Sequence, residues 1–196
     1  KMNEFYALMN RMRLIERWGL MHRTRGENVA EHSLMTAMLA HSLALLENKL
    51  SDEKVDAERA ALMGLYHEAA EVLTGDLPTP VKYYNREITR AYKDIERKAE
   101  EKICESVPDI LKDDLCGYIR QERSGNIAAV VKAADKLAAF IKCEEEKRAG
   151  NTEFDSALKS TLAELKASKL KSVEFFLKEA VGSFELNLDE YFEVKK

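Results

Sequence analysis

Apolar side chains recur along nearly the whole chain at the spacing of an α-helix, and this periodicity is the feature that most restricts the fold. Near the amino end, Phe5, Leu8, Met9 and Met12 form an i, i+3, i+4, i+7 stripe behind Asn3, a candidate N-cap. Only 8 glycines and 3 prolines interrupt 196 residues, and no stretch shows the strict alternation expected of a strand. The sequence therefore predicts an all-α fold.

Residues that start and stop helices divide this pattern into elements. Asp56 is a candidate N-cap and Gly75 a candidate terminator, while Pro78 and Pro80 predict a loop over residues 75–80. Other breaks are expected at residues 24–28, at Pro108, at Ser124-Gly125-Asn126 and at Gly150-Asn151. The predicted helices cover residues 29–48, 57–73, 86–106, 109–122 and 127–148, with others within 153–182 and 188–194. No repeat, linker or shift in composition divides the chain, so residues 1–196 are predicted to form a single domain.

Charge and composition restrict the partners. The 31 lysines and arginines against 35 aspartates and glutamates give a net charge of −4, which argues against a binder of nucleic-acid polymers. A small phosphate substrate is still compatible, because a bound cation can reverse the local field. No apolar run approaches the ~18 residues of a membrane span. The 3 cysteines form no CxxC pair and no signal-peptide pattern is evident, so we expect reduced thiols, no membrane association and a cytoplasmic location.

The histidines are the first candidates for chemistry. They are His22, His32, His41 and His67. His67 is followed by Glu68 and Glu71 within an otherwise apolar helical segment, and such charges must be solvated, paired or bound to something. A solvent-facing stripe and a binding site both fit this segment taken alone. Gly64, one turn before Glu68, leaves room for a ligand or for another helix.

Asp135 favours the binding site. It lies in a long apolar helix and shares its face with Val131 and Ala138, so its carboxylate needs a partner. Two imidazoles with carboxylates suit a divalent transition ion such as Mn, Fe, Co or Zn better than Ca. His41 falls on the opposite side of its helix from His32 and is interpreted as structural.

The order His32, His67-Glu68 and Asp135 on three helices resembles the HD-domain metal phosphohydrolases, whose signature is H…HD…D. More closely, the chain is similar to the bacterial 5′-deoxynucleotidases of that superfamily. The matching segments are Arg17-Trp18, residues 25–34, residues 66–83, residues 132–135 and residues 142–146. They extend over most of the chain, and the block from His67 to Tyr83 is long and specific. The resemblance implies an HD-type helical bundle, a homodimer, and hydrolysis of deoxyribonucleoside 5′-monophosphates with a metal-bound water as nucleophile.

The resemblance also implies the metal ligands. They would be His32, His67, Glu68 and Asp135, around one divalent transition-metal cation (Co, Mn, Zn, Fe, Ni or Cu). The family has Asp where this chain has Glu68, which is one methylene longer. Metal sites tolerate only small changes in ligand distance. Three outcomes are open: Glu68 binds in another rotamer, the metal preference changes, or the site is weakened.

The remaining roles follow from the same resemblance. Glu71 would orient the attacking water and manage its proton. Asp76 would contact the sugar end or assist proton transfer, so it is both a catalytic and a substrate-binding candidate. Arg17 and Trp18 would bind the phosphate and the deoxyribose. An ordinary core aromatic is the alternative interpretation of Trp18.

Two other functions remain open from the sequence. A nucleotide pyrophosphohydrolase of the same fold would need a larger and more basic pocket, whereas the motifs here contribute few cations. A catalytically weakened nucleotide-binding or scaffold protein would explain Glu68 as the mark of a decayed site. Metal content and a panel of deoxynucleotide, ribonucleotide and pyrophosphorylated substrates distinguish the three.

Overall fold

The computed structural model describes residues 3–122 and 125–192. Within them every regular element is helical, and one isolated antiparallel bridge joins Glu16 and Asn28, so the all-α prediction is confirmed. The α-helices are α1 (Phe5–Met9), α2 (Val29–Leu50), α3 (Ala57–Tyr66), α4 (Glu71–Thr74), α5 (Thr79–Lys82), α6 (Arg86–Ser106), α7 (Lys112–Ile119), α8 (Ile127–Arg148), α9 (Asp155–Ala167), α10 (Lys171–Glu179) and α11 (Leu188–Phe192). Short 3-10 helices cover Asn10–Leu14, Asp109–Leu111, Thr152–Phe154 and Val181–Glu185.

The main core lies where α2, α3, α8 and α9 pack together. Leu43, Met63, Leu137 and Phe154 are among its fully buried side chains. A smaller apolar cluster, which includes Ile103 and residues of α1 and α7, lies beneath α6. Helices α2 and α8 each span 22 residues and carry two of the site residues described below, His32 and Asp135. The assignment of residues 1–196 to a single domain stays a prediction.

The prediction of one continuous helix over residues 57–73 is wrong, because the helix is interrupted at residues 67–70. Asp56 caps α3 by accepting a hydrogen bond from the backbone N–H of Arg59, but α3 ends at Tyr66 and residues 67–70 form turns. In a continuing helix the Gly64 carbonyl would accept from the N–H four residues later. Here Nδ1 of His67 donates to that carbonyl at 2.7 Å. A side chain thus competes with the helical ladder and ends the helix.

The prediction of a loop over residues 75–80 is wrong for residues 79 and 80, which lie in a helix. Gly75, at φ 71°, follows α4 in the left-handed region, as predicted for a terminator. Helix α5 then begins at Thr79 with Pro80 in its first turn. Proline is tolerated there because the N–H groups of a first turn have no intrahelical partner.

Other boundaries differ in smaller ways. The segment 153–182 contains α9 and α10, separated near Lys169 (φ 56°), and then a 3-10 helix. The segment 109–122 begins with a 3-10 turn and its helix ends at Ile119, and the stripe of residues 5–12 passes from α1 into a 3-10 helix. The backbone N–H of Phe5 donates to Asn3 Oδ1 at 3.2 Å. Ser124 of the predicted break and residues 193–194 of the last predicted helix lie outside the described residues.

Helix α2 departs from the expectation that no apolar stretch is long enough for a membrane span. By length and composition Val29–Leu50 could cross a membrane, although 44% of its apolar window is buried inside the protein. It packs against α3, α8 and α10. The core helix of a globular protein has the same length and composition, and the burial of α2 agrees with that role.

Candidate metal centre

The candidate metal ligands come from three elements that meet at one end of the core. His32 lies in the first turn of α2, which starts at Asn28 with a complete capping box. His67 and Glu68 follow the end of α3, and Asp135 lies in the middle of α8. One ligand atom from each of these four residues lies within 4.8 Å of the others. The fold therefore brings together the four residues that the sequence predicted as metal ligands.

The distances within this cluster are short. Nε2 of His32 is 3.0 Å from Oδ1 of Asp135, and Nε2 of His67 is 3.7 Å from the same oxygen. Nε2 of His67 is also 3.4 Å from Oε1 of Glu68. The His32 side chain is fully buried, whereas 31% of the Asp135 side chain is exposed, so the cluster opens to solvent on the Asp135 side.

The imidazole rings of His67 and His32 differ in their hydrogen bonds. Nδ1 of His67 donates to the Gly64 carbonyl, which leaves Nε2 directed at the carboxylates. A hydrogen bond from the other ring nitrogen to a backbone carbonyl fixes the orientation of a metal-binding histidine. Nε2 of His67 and Nδ1 of His32 are buried and have no hydrogen-bond partner among the described residues. Two imidazoles, two carboxylates and the buried unpaired Nε2 of His67 fit a divalent transition-metal ion.

The ionisation of the cluster reflects its excess of carboxylates. Desolvation alone would raise the pKa of Asp135, but its hydrogen bond with His32 and the nearby His67 imidazole hold that pKa well below its usual range. Burial alone would lower the pKa of His67, yet Glu68 and Asp135 raise it above the ordinary value. Burial and the neighbouring Arg17 lower the pKa of His32. The carboxylates of the cluster thus favour a positive charge among them.

Glu68 reaches the cluster in spite of its extra methylene. It lies in the turns between α3 and α4 rather than within a continuous helix, so its position is not set by helical geometry. Its carboxylate oxygen is 3.4 Å from His67 Nε2 and 3.7 Å from Nη1 of Arg17. Of the open outcomes for this position, the geometry favours a carboxylate that still takes part in the site.

Glu71 and Asp76 border the same cluster. Glu71 is 6% exposed, and burial together with the Glu68 carboxylate raises its pKa to about 10. Its Oε2 is buried and accepts no hydrogen bond from any residue that the structure describes. Asp76 follows Gly75, and burial raises its pKa, with a further contribution from Glu68, while Arg17 opposes the change. Both carboxyl groups are therefore available to hold protons beside the candidate ligands.

Arg17 and Trp18 lie on the segment that precedes α2. The backbone N–H of Arg17 donates to the Glu27 carbonyl at 2.9 Å. The guanidinium carbon of Arg17 lies 6.0 Å from the centre of the Trp18 ring, and the indole packs on Phe154 with ring centroids 5.2 Å apart. Burial alone would lower the pKa of Arg17, but Glu68 and Glu27 raise it. Arg17 therefore remains a cation at the edge of the metal cluster.

Sequence reasoning missed two features of the site. Glu27 accepts hydrogen bonds from both Arg17 and Trp18, although the sequence offers no spacing that distinguishes it from other loop carboxylates. Lys142 and Glu146 form a buried ion pair with Nζ to Oε1 at 2.5 Å, and Glu146 also binds the backbone N–H of Thr24. Two opposite charges four residues apart in an apolar helix were the available signal for this pair.

Comparisons with known proteins show what the whole chain is similar to. A family model described as "5′-deoxynucleotidase YfbR-like" matches residues 4–184. A 5′-deoxynucleotidase of Shewanella oneidensis is 46% identical over 190 residues, which cover 96% of this chain and 97% of the relative. An HD-domain phosphohydrolase from Listeria innocua has a TM-score of 0.80 at 20% identity and covers 92% of this chain and 88% of its own.

A second solved structure has a ligand and a metal. It is the HD phosphohydrolase of cyanophage S-2L, bound to dA and one catalytic Zn²⁺ ion, with a TM-score of 0.61 at 20% identity. The match covers 91% of this chain and 93% of that one. At this identity the two solved structures share the fold with this chain, whereas the sequence match to the YfbR-like family extends over nearly its whole length.

Proposed function

Because the chain belongs to the YfbR-like family of 5′-deoxynucleotidases, we propose that it hydrolyses deoxyribonucleoside 5′-monophosphates to a deoxynucleoside and inorganic phosphate. The observation that carries this proposal is the cluster of His32, His67, Glu68 and Asp135, with the Arg17 guanidinium beside it. Water adds to phosphorus, the bond from phosphorus to the 5′-oxygen breaks, and the 5′-oxygen takes up a proton.

The four clustered residues would hold one divalent transition-metal cation. When bound, the cation would polarise a phosphate oxygen and acidify a water molecule. The donor set and the unpaired nitrogen of His67 support this assignment, as does the zinc in the cyanophage phosphohydrolase. Which of Co, Mn, Zn, Fe, Ni or Cu is native is a question for metal analysis of the purified protein.

The surrounding side chains would bind the substrate and transfer protons. Arg17 would bind the phosphate through its terminal nitrogens, as a planar guanidinium suits. A bound cation would offset the Glu68 charge that helps to raise the pKa of Glu71. The Glu71 carboxylate, whose buried Oε2 has no partner among the described residues, would then accept the proton of the attacking water. Asp76, whose pKa is raised by burial, would deliver a proton to the leaving 5′-oxygen. The Trp18 indole would lie against the deoxyribose.

A substrate panel tests the function. Purified protein, stripped of metal and then supplied with Mn, Co or Zn, would be given dAMP, AMP and ppGpp, and the release of both phosphate and pyrophosphate would be measured. We expect release from dAMP, weaker release from AMP and none from ppGpp. Chelation should abolish the dAMP activity. Failure to hydrolyse dAMP with every metal would contradict the proposal, and preferred hydrolysis of ppGpp would favour a pyrophosphohydrolase.

We also propose that the enzyme is a homodimer. Leu34, Met38 and Leu45 follow one another along one face of α2 and are 58%, 58% and 43% exposed. A row of large apolar side chains on one helix is the kind of surface that a second copy of the chain would cover. Light scattering coupled to size-exclusion chromatography should give the mass of two 22.3 kDa chains. A monomer at micromolar concentration would contradict this.

A cytoplasmic location is part of the same proposal. Cys104, Cys116 and Cys143 are all buried and unpaired in the structure. Sγ of Cys104 and Sγ of Cys116 each lie within 4.0 Å of the other residue's carbonyl oxygen, so the two thiols are neighbours and yet form no disulfide. Free thiols in such proximity suit a reducing compartment.

A further inference from the structure

Glu27 connects the two residues that we assign to the phosphate and to the sugar. One of its carboxylate oxygens, Oε2, accepts a hydrogen bond from Nε of Arg17 at 3.1 Å and a second from Nε1 of Trp18 at 2.9 Å. We propose that Glu27 is a positioning residue that sets the preference for deoxyribose over ribose, because it holds Trp18 and Arg17 in one relative orientation. This inference rests on the proposed function, from which it takes the roles of those two residues.

The backbone of Trp18 supports a fixed orientation. Its φ of 58° lies in the left-handed region, which residues other than glycine seldom adopt. Such a conformation persists only where the surrounding structure determines it. The backbone carbonyl of Trp18 accepts from the N–H of Met21 at 3.0 Å, and the indole packs against Phe154. The Trp18 ring is thus held by the Phe154 ring packed against it and by the hydrogen bond from its N–H to Glu27.

Glu27 is itself held in place by the chain around it. The bridge between Glu16 and Asn28 aligns its segment with the one that carries Arg17. The next residue, Asn28, is the N-cap of α2, and its side chain accepts from the backbone N–H of Glu31 at 3.0 Å. Helix α2 carries the candidate ligand His32. The position of Glu27 is therefore fixed relative to the metal cluster.

Crowding distinguishes ribose from deoxyribose only if the crowding group cannot move aside. An indole that is free to rotate would yield to a 2′-hydroxyl, whereas one locked by a hydrogen bond at its edge would not. The bond from Glu27 to Nε of Arg17 also leaves the terminal nitrogens of that guanidinium facing the cluster, with Nη1 3.7 Å from Oε1 of Glu68. Glu27 would thus hold the Trp18 ring and the Arg17 guanidinium in fixed positions relative to each other.

Three variants separate the geometry of Glu27 from its charge. E27A removes the acceptor. E27D keeps the charge, but its shorter carboxylate cannot reach both donors. E27Q keeps the length and an acceptor oxygen and loses the charge. We expect the ratio of kcat/KM for dAMP to that for AMP to fall about tenfold in E27A, the effect of losing one charge-assisted hydrogen bond. The ratio should fall in E27D and stay close to wild type in E27Q.

Fluorescence gives a second measurement that does not depend on turnover. Trp18 is the only tryptophan of the chain, so the intrinsic emission reports its surroundings alone. E27A and E27D should shift this emission to the red and make it more accessible to acrylamide, and E27Q should not. E16Q is the matched control, because Glu16 lies on the same bridge and pairs with Arg23 at 2.8 Å instead of with Arg17 or Trp18.

The outcomes are distinct. An unchanged substrate ratio in E27A, or equal losses on dAMP and AMP with unchanged emission, would overturn the role of Glu27. A dAMP-to-AMP ratio that is normal in E27D and low in E27Q would also overturn the role of Glu27, because the preference would then follow charge and not geometry. The comparison of E27D with E27Q can be made even if E27A does not fold. If wild-type protein does not hydrolyse dAMP, the proposed function itself fails. Hydrolysis of dAMP with an unchanged ratio in E27A overturns only the present inference.

Discussion

At the scale of single residues, His67 shows how one side chain can shape both the backbone and the site. Its Nδ1 donates to the Gly64 carbonyl, which ends α3, and its Nε2 faces Glu68 and Asp135. The same hydrogen bond therefore frees Glu68 from helical geometry and directs the imidazole at the carboxylates. The residue that the sequence suggested as a ligand also determines the local structure that makes ligation possible.

Replacing His67 with alanine should remove the metal. We expect H67A to lose stoichiometric metal, because a buried ligand nitrogen cannot be replaced from solvent, and to lose dAMP hydrolysis with it. Metal content per chain, measured by elemental analysis after dialysis, checks this. His41 is an exposed histidine of α2, and H41A should bind metal as the wild type does. Full metal in H67A would remove the proposed ligand set.

Replacing Glu71 should lower turnover without removing the metal. It borders the cluster and is not among the four grouped ligands, so E71A should keep the metal. Turnover of dAMP should fall by about 10²–10⁴-fold, the usual contribution of a general base. Metal content and kcat measured on the same preparation test both parts. Activity near that of wild type would refute the role of Glu71 in proton transfer.

At the scale of the helices, the contact between α2 and α3 sets the relative position of His32 and His67. Gly64 makes this contact possible: a Cβ at this position would lie 3.0 Å from the Ala37 Cα and 3.1 Å from the Thr36 carbonyl oxygen. The sequence left open whether the missing side chain admits a ligand or another helix. The structure shows that it admits another helix.

Gly64→Ala should therefore push the two helices apart. We expect a loss of about 1–3 kcal/mol in the free energy of unfolding, because the added methyl group meets backbone rather than a flexible side chain. Urea denaturation measures this. Gly117→Ala in α7 is the control, since its Cβ would meet only the Glu122 side chain at 3.5 Å. That change should be neutral or gain about 0.5–1 kcal/mol from helix propensity. Equal stability of both variants would contradict the close-packing argument.

At the scale of the whole molecule, Glu146 ties distant parts of the chain together. Its side chain is fully buried and accepts hydrogen bonds from Lys142, from both the backbone N–H and the hydroxyl of Thr24, and from Asn151. Thr24 and Glu146 are 122 residues apart. This junction anchors the loop before α2, and therefore the segment that carries Arg17 and Trp18, onto the end of α8.

Stability should consequently fall in acid. Burial alone would raise the pKa of Glu146, but its hydrogen bonds with Lys142 and Thr24 lower it from 4.5 to about 2. The stabilisation is complete above about pH 4.5 and is lost as pH falls towards 2, a change on the order of 3 kcal/mol. Denaturation between pH 2 and 6 should show this dependence in the wild type.

E146Q should be less stable at neutral pH and should lose the part of this pH dependence that Glu146 contributes, because its amide does not titrate. The control is E101Q, which breaks the exposed i, i+4 pair between Arg97 and Glu101 on α6. Exposed pairs of this kind contribute about 0–1 kcal/mol. An E146Q variant with the same pH profile as wild type would show that other carboxylates control the acid transition.

The sequence by itself determined where most helices begin and what chemistry the chain carries. Asp56 caps its helix as predicted, α2 begins directly after the predicted break at residues 24–28, and the Gly75 turn depends on the conformational freedom of that residue. These signals are local, since a cap or a turn is formed by atoms a few residues apart. The residue types around His32, His67 and Asp135, with their resemblance to a known family, were also enough to predict the candidate site.

The tertiary structure alone decided how these pieces meet. The helix break after Tyr66, the close contact at Gly64, the two hydrogen bonds of Glu27 and the junction at Glu146 were not predicted. Each depends on a competition between alternative partners, or on contacts between segments distant in sequence. Periodicity states which face of a helix is buried, but packing determines which atoms it meets and whether a side chain displaces a backbone hydrogen bond.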